Sequence, residues 1–115
     1  MGTSIEERQL DSLFTALSDR TRRDIVARLS AGEATVKELA EPYAMSMQAV
    51  SQHIRVLERS GLISQGRHRQ TRPCRLEPAA LEAAVSWIEE SRRAWADRMD
   101  RLEAHLERLQ DGAAR

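Results

Sequence analysis

The chain has 115 residues, its 18 Lys and Arg balance its 18 Asp and Glu, and only 3% of its residues are aromatic. This length fits one domain, and a core poor in aromatic rings is typical of packed helices. One cysteine excludes an intrachain disulfide, and no run of about 18 apolar residues is present that could span a membrane. We therefore expect a single mainly α-helical domain, residues 1–110, located in the cytoplasm.

The balanced total charge hides a basic middle segment. Residues 43–75 contain six basic residues and one acidic residue, Glu58, whereas the segments on either side carry more acids than bases. Phosphates can approach such a segment with little repulsion from carboxylates. Nucleic acid is therefore a candidate partner, with a merely solvated basic surface as the alternative.

Three helices are predicted before residue 43. The apolar residues of the first helix follow helical spacing and are Leu10, Leu13, Phe14 and Leu17. Ser18 or Asp19 can cap a second helix that ends before Gly32. Thr35 and Glu38 have the spacing of a capping box, which predicts a short third helix over Val36–Glu41.

A fourth helix is predicted from the N-cap Ser46 to Gly61. Its buried stripe is expected to contain Val50, Ile54 and Leu57. The opposite face carries short or hydrogen-bonding side chains without a carboxylate: Gln48, Ala49, Ser51, Gln52, His53 and Arg55. Amide, imidazole and guanidinium groups can bond to base edges in a DNA major groove, and small residues permit close approach.

A β-hairpin is predicted next, with strands Leu62–Gln65 and Thr71–Leu76. Four arginines occur in nine residues: Arg67, Arg69, Arg72 and Arg75. This density favours a phosphate clamp or a minor-groove probe over a merely soluble loop. Because proline donates no backbone hydrogen bond, Pro73 predicts that the second strand lies at a sheet edge.

A long final helix is predicted from Pro78 to about Gln110, followed by a disordered tail over residues 111–115. Residues at alternating steps of four and three form a seam in which only Arg92 is polar: Leu81, Val85, Ile88, Arg92, Trp95, Met99, Leu102, Leu106 and Leu109. A helix of this length exceeds what so small a domain can cover. The seam therefore predicts a homodimer, with the first helix, including Leu10, Leu13 and Phe14, contributing to the interface.

Three segments carry a resemblance to a known family. They are LFTALSDRTRR (13–23), EATVKELA (33–40) and SMQAVSQHIRVLERSGLI (46–63). Together with the order of the elements, they resemble the ArsR family of bacterial winged helix-turn-helix repressors over roughly residues 10–110. Arg20 stands where that family usually has proline.

The resemblance implies a homodimer whose two recognition helices enter successive major grooves of a palindromic double-stranded DNA operator. The positions that match DNA-facing residues are Ser46, Gln48, Ala49, Ser51, Gln52 and His53. Arg55 is expected on phosphate, and the wing would add Arg67, His68, Arg69 and Arg72. Such repressors typically cover their own promoters, so autoregulation is an implied expectation.

The same resemblance argues against metal sensing. The family's Cys-x-Cys element is replaced by Thr35–Glu38, and a second family site lacks its downstream histidine although Asp100 and His105 are present. We expect no metal and no cofactor. Three scattered histidines, one cysteine and no glycine-rich phosphate loop also argue against an enzyme.

Two alternatives stay open at this stage, and the effector is not identified. Arg72 and Arg75 would lower the pKa of the Cys74 thiol and allow redox sensing, although a buried structural thiol is the favoured interpretation. The long helix could instead bind a different protein, which would make the chain an interaction module.

Overall fold

The computed structural model describes residues 7–66 and 72–113. Within these residues the chain forms α1 (Glu7–Leu17), α2 (Arg20–Leu29), α3 (Val36–Ala40), α4 (Met47–Arg59), β1 (Ile63–Gln65), β2 (Cys74–Leu76) and α5 (Pro78–Ala113). One compact unit extends to Ala84 and a second begins at Val85, so the boundary falls inside α5. The predicted mainly helical fold with a two-stranded hairpin and a long last helix is confirmed.

The predicted N-caps start three of the helices. Asp19 accepts a hydrogen bond from the backbone N–H of Arg22 (3.0 Å), and Ser46 accepts one from the N–H of Ala49 (3.1 Å). Thr35 and Glu38 form the full capping box that starts α3. These side chains satisfy backbone donors that have no partner inside the helix. Arg20, at the family's usual proline position, is the first residue of α2, where proline is favoured.

Gly61 ends α4 with a left-handed backbone. Its φ is +85°, a conformation that glycine adopts without steric cost. The N–H of Gly61 donates to the carbonyl of Glu58 (3.0 Å), and the N–H of Leu62 donates to the carbonyl of Leu57 (3.1 Å). This arrangement is a Schellman motif, in which the residue after glycine commonly makes an apolar contact back to the helix. Leu57 and Leu62 are both fully buried in the core.

A single core fills the first unit. Its largest fully buried side chains come from α1, α2, α3, α4 and both strands: Leu13, Ile25, Leu39, Ile54, Leu57, Leu62, Ile63, Val50 and Cys74. Leu13 is 0% exposed and Leu10 is 6% exposed in the single chain. This burial argues against the prediction that these two residues form the dimer interface, because they have almost no surface left for a partner.

The second strand of the hairpin is shorter than predicted. β1 and β2 pair antiparallel, with Ile63 opposite Leu76 and Gln65 opposite Cys74. Cys74 also forms an isolated bridge with Ala34, exchanging backbone hydrogen bonds of 2.7 and 3.1 Å. β2 is an edge strand of this two-stranded sheet, as predicted, and the single bridge to Ala34 covers it only at Cys74. The proline precedes β2 rather than interrupting it.

The last helix runs to Ala113, beyond the predicted end near Gln110. Residues 111–113 are helical, so this part of the predicted disordered tail is wrong, and residues 114–115 lie outside the described residues. Gly112 weakens a helix but keeps its backbone donor, unlike proline, so the hydrogen-bonding pattern can continue past the last seam residue.

The Asp19 cap makes a prediction for stability against pH. The hydrogen bond from the backbone of Arg22 lowers the pKa of Asp19, so the charged carboxylate stabilises the fold above its unfolded pKa. Asp19→Ala should lower the free energy of unfolding by about 1 kcal/mol at neutral pH. The difference from the wild type should shrink as the pH falls below the ordinary pKa of an aspartate and through the lowered pKa of Asp19, because the carboxylate then becomes protonated.

Asp19→Asn is the matched control for this cap, because asparagine also caps helices but carries no charge. We expect it to keep most of the stability at neutral pH in urea unfolding experiments. An Asp19→Ala protein as stable as the wild type at pH 7 would contradict the capping role.

Candidate nucleic-acid interface

The outer face of α4 is polar and accessible. Ser46, Gln48, Gln52 and Arg55 are exposed, while Ala49 and Ser51 are half-buried. The opposite face, with Val50, Ile54 and Leu57, is fixed in the core. Core packing therefore presents one defined face of this helix to a partner, as base reading in a DNA groove requires.

One exposed residue of α4 was not predicted from the sequence as part of the interface. Met47 is 50% exposed in the first turn of α4, although its spacing from Val50 and Ile54 assigns it to the buried stripe. A helix end projects beyond the core that its middle contacts, so apolar spacing alone misplaces such a residue. An exposed thioether beside polar groups can contact the methyl group of thymine.

Two exposed side chains of α4 are hydrogen-bonded to each other. Nε of Arg55 donates to Oε1 of Gln52 over 2.9 Å, one turn apart on the same face. The acidic residue of the helix, Glu58, accepts a hydrogen bond from Nε2 of Gln65 at 3.3 Å. The face formed by Gln48, Gln52 and Arg55 therefore contains hydrogen-bonding groups but no carboxylate to repel phosphate.

His53 does not share this exposed position. Its Nδ1 lies 3.2 Å from a terminal nitrogen of Arg22 and 3.8 Å from Oδ2 of Asp19, and its side chain is 21% exposed. Because a guanidinium group can only donate, Nδ1 must act as the acceptor in the contact with Arg22. His53 therefore links α4 to the start of α2, which argues against its predicted role as a direct DNA contact.

Arginines of α2 hold the ends of neighbouring helices. Arg22 donates to the carbonyls of Thr15 and Ala16, and Arg23 donates to that of Leu17 (2.8 Å). Arg28 donates to the carbonyls of Glu38 and Leu39 at the end of α3. The last carbonyls of a helix carry partial negative charge, so guanidinium groups are favoured there.

Tyr43 fixes the linker between α3 and α4 against α2. Its hydroxyl donates to the carboxylate of Asp24, and its ring lies 5.5 Å below the guanidinium carbon of Arg28. Burial and the hydrogen bond to Asp24 raise the pKa of Tyr43. The α2 residues in these contacts were missed because charged residues in a helix more often form a solvated face.

The base of the wing is ordered around Gly66 and Pro73. The N–H of Gly66 donates to the carbonyl of Pro73 over 2.8 Å, which closes the hairpin below its tip. Arg72 is exposed with a φ of +36°, an unusual conformation for a side chain other than glycine. Arg75 is not free, because its Nε lies 3.6 Å from the carboxylate of Glu77. The predicted wing residues Arg67, His68 and Arg69 lie outside the described residues.

Cys74 is buried, which contradicts the redox alternative. The thiol is 0% exposed, and burial, together with the charge of Glu58, raises its pKa to about 11. A reactive sensor thiol needs a lowered pKa and access to solvent. The neighbouring arginines do not provide this, because side chains alternate between the faces of a strand and Arg75 is exposed where Cys74 is buried.

The seam of α5 is largely exposed. Leu81 is half-buried and packs against the core of the first unit. The later apolar seam residues are all between 43% and 60% exposed: Val85, Ile88, Trp95, Met99, Leu102, Leu106 and Leu109. Phe14 of α1 is 36% exposed. Large apolar side chains in such a continuous row mark an interaction surface.

The described residues contain neither a metal-binding cluster nor a membrane-spanning helix. Within residues 7–66 and 72–113, no three His, Cys, Asp or Glu side chains are grouped so that they could hold a metal ion. No helix in this part of the chain is both long enough and apolar enough to cross a membrane.

The short capped α3, the polar-faced α4 and the following hairpin define a winged helix-turn-helix DNA-binding protein. A family model described as a helix-turn-helix domain matches residues 17–65. The HTH-type transcriptional regulator Rv2034 of Mycobacterium tuberculosis is 41% identical over 76 residues, which are 66% of this chain and 71% of that protein. The transcriptional repressor SdpR of Bacillus subtilis is 30% identical over 79 residues, covering 69% of this chain and 88% of that protein.

A solved structure extends the similarity through the fold. The crystal structure of an ArsR family transcriptional regulator has a TM-score of 0.76 and 37% identity, and the match covers 82% of this chain and 97% of that chain. The chain belongs to the ArsR family of winged helix-turn-helix proteins. It is therefore a DNA-binding regulator of transcription and not an enzyme.

The burial and raised pKa of Cys74 predict that its thiol is unreactive in the native protein. At pH 8 the native protein should react with a disulfide reagent such as dithionitrobenzoate at least about a hundredfold more slowly than the urea-unfolded chain, because the buried thiol is not ionised. Release of thionitrobenzoate measures both rates on the same sample. Equal rates for native and unfolded protein would show that the thiol is accessible.

Proposed function

We propose that the protein is a homodimeric repressor that binds a palindromic DNA operator and works without a bound metal ion. The row of exposed apolar side chains on α5 carries this proposal. It offers seven large residues to solvent, and burial of one such side chain contributes about 1.5–3 kcal/mol. The similarity to the B. subtilis transcriptional repressor supports a repressing role.

A second copy of the chain is the partner that suits this seam. Two-fold contacts pair a surface with itself, and a continuous apolar row is self-complementary. Arg92, the polar member of the seam, already pairs with Glu89 of its own helix at 2.9 Å. Its charge would therefore enter the interface with a counter-charge, which lowers the cost of removing it from water.

A dimer with two-fold symmetry would bind an operator that has the same symmetry. The α4 helices of a dimer would contact two half-sites whose centres lie about 34 Å apart, or one turn of DNA. The residues proposed to read bases are Ser46, Gln48, Ala49, Ser51 and Gln52. The residues proposed to contact phosphate are Arg55, Arg67, His68, Arg69 and Arg72. As a regulator that binds the chromosome, the protein would act in the cytoplasm of a bacterial cell.

DNA binding by selected variants tests the two groups of residues. We expect Gln52→Ala to weaken binding to the operator more than binding to random DNA, because an amide–base contact carries sequence information. Arg69→Ala should weaken binding to all sequences and reduce the slope of affinity against salt by about one. Fluorescence anisotropy on DNA from upstream of the protein's own gene measures both effects; equal losses on both DNAs from both variants would contradict the assignment.

The molar mass of the protein in solution tests whether the α5 seam forms the dimer interface. Leu102→Glu should convert the dimer to a monomer, because it places a charge in the apolar interface. Ala104→Glu is the matched control, since it adds the same charge to the opposite side of the helix and should leave the dimer intact. Light scattering distinguishes the two states, and a dimeric Leu102→Glu protein would show that the interface lies elsewhere.

A further inference from the structure

The hydrogen bond between Gln52 and Arg55 changes what their side chains can offer to DNA. Oε1 of Gln52 already accepts from Nε of Arg55 at 2.9 Å. Both side chains are exposed, and neither has another hydrogen-bond or ion-pair partner in the described part of the chain. Two residues three positions apart on one helix face can therefore act as a single recognition unit.

This unit consists mainly of donors. The amide nitrogen of Gln52 keeps two N–H groups and the terminal nitrogens of Arg55 keep four, whereas Arg55 already uses one of the two lone pairs of the amide oxygen. A free glutamine reads adenine with one acceptor and one donor, and the intrahelical bond directs that acceptor towards Arg55 instead of a base. The neighbouring acid, Glu58, accepts from Nε2 of Gln65, a bond that directs its carboxylate towards β1.

A surface of donors matches a base edge composed of acceptors. In the major groove, guanine presents N7 and O6, both acceptors, while adenine and cytosine each present an amino donor that this unit would leave unpaired. We infer that Gln52 and Arg55 together read a guanine in each half-site. This inference rests on the proposed entry of α4 into the major groove, and it assigns Arg55 to base recognition instead of phosphate contact.

The surrounding residues fit this assignment. The half-buried Ala49 and Ser51 have short side chains, so they do not keep the longer Gln52 and Arg55 away from a base. The hydrogen bond is exposed to water in the free protein, where such bonds are weak, but DNA would exclude water from the groove and strengthen it. The pair would then be oriented before contact, as precise recognition requires.

Selection from a random duplex library tests the inference with the full-length protein. The wild type should enrich guanine at one position of each half-site. In Arg55→Ala the preference for guanine at that position should fall roughly tenfold, and in Arg55→Lys it should fall by less, because an ammonium group can still donate to O6 or N7. In Arg55→Ala the released Gln52 should shift the preference towards adenine. Arg59→Ala loses the same charge from the next turn of α4 and should keep the guanine preference.

The lysine variant separates the two roles of Arg55. Lysine keeps the positive charge but lacks the planar pair of donors, so a phosphate contact would survive this change while a contact with both acceptors of guanine would weaken. Unchanged base preference in both Arg55 variants, with affinity lost in Arg55→Ala and kept in Arg55→Lys, would overturn the inference and leave the proposed function intact. If the wild type enriches no sequence, the proposed function fails as well. Circular dichroism and light scattering verify that each variant is folded and dimeric.

A base analogue gives an independent measurement. Replacing the selected guanine by 7-deazaguanine removes the N7 acceptor without changing the phosphate backbone. Wild-type affinity should fall about tenfold, whereas the affinity of Arg55→Ala should not change. An equal loss in both proteins would show that another residue contacts N7 and would overturn the assignment.

Discussion

One guanidinium group connects α4, the helix proposed to read DNA, to α1 and α2. Arg22 donates to the carbonyls of Thr15 and Ala16 and contacts Nδ1 of His53, while its own backbone N–H binds Asp19. One residue thus connects the end of α1, the start of α2 and the middle of α4. The positive charge of Arg22 is favoured near the C-terminal end of α1, and its hydrogen bonds to the carbonyls there add a directional contribution. A helix that reads bases must be held in one orientation, and this polar network complements the apolar core in holding it.

Most of the fold could be predicted from the sequence because its determinants are local. Helical spacing of apolar residues located α1, α2 and α4, and the caps Asp19, Thr35 and Ser46 marked where helices start. Gly61 marked the end of α4 for a comparable reason, since a positive φ at that position favours glycine. Each of these features is decided within about four residues of chain, so no knowledge of tertiary contacts was required.

The incorrect predictions share a dependence on distant residues. Apolar spacing showed that Leu13 is buried but not whether its own core or a partner buries it. The partners of His53 lie about thirty residues earlier in the chain, so its polar position on α4 was compatible with DNA contact. For Cys74, nearby arginines in the sequence left a reactive thiol open as the alternative to the favoured buried thiol, whereas the fold places the thiol in the core and raises its pKa. Charge effects depend on distance and solvent in three dimensions, which linear spacing does not give.

The closed base of the wing has an evolutionary consequence. The hydrogen bond from Gly66 to Pro73 joins the two sides of the hairpin, and the bridge from Cys74 to Ala34 ties its second strand to the segment before α3. Substitutions or insertions between these contacts need not disturb the packing that orients α4. A duplicated gene could therefore acquire preferences for new flanking DNA by changing the tip alone, while retaining the stability of the parent and the half-site it recognises.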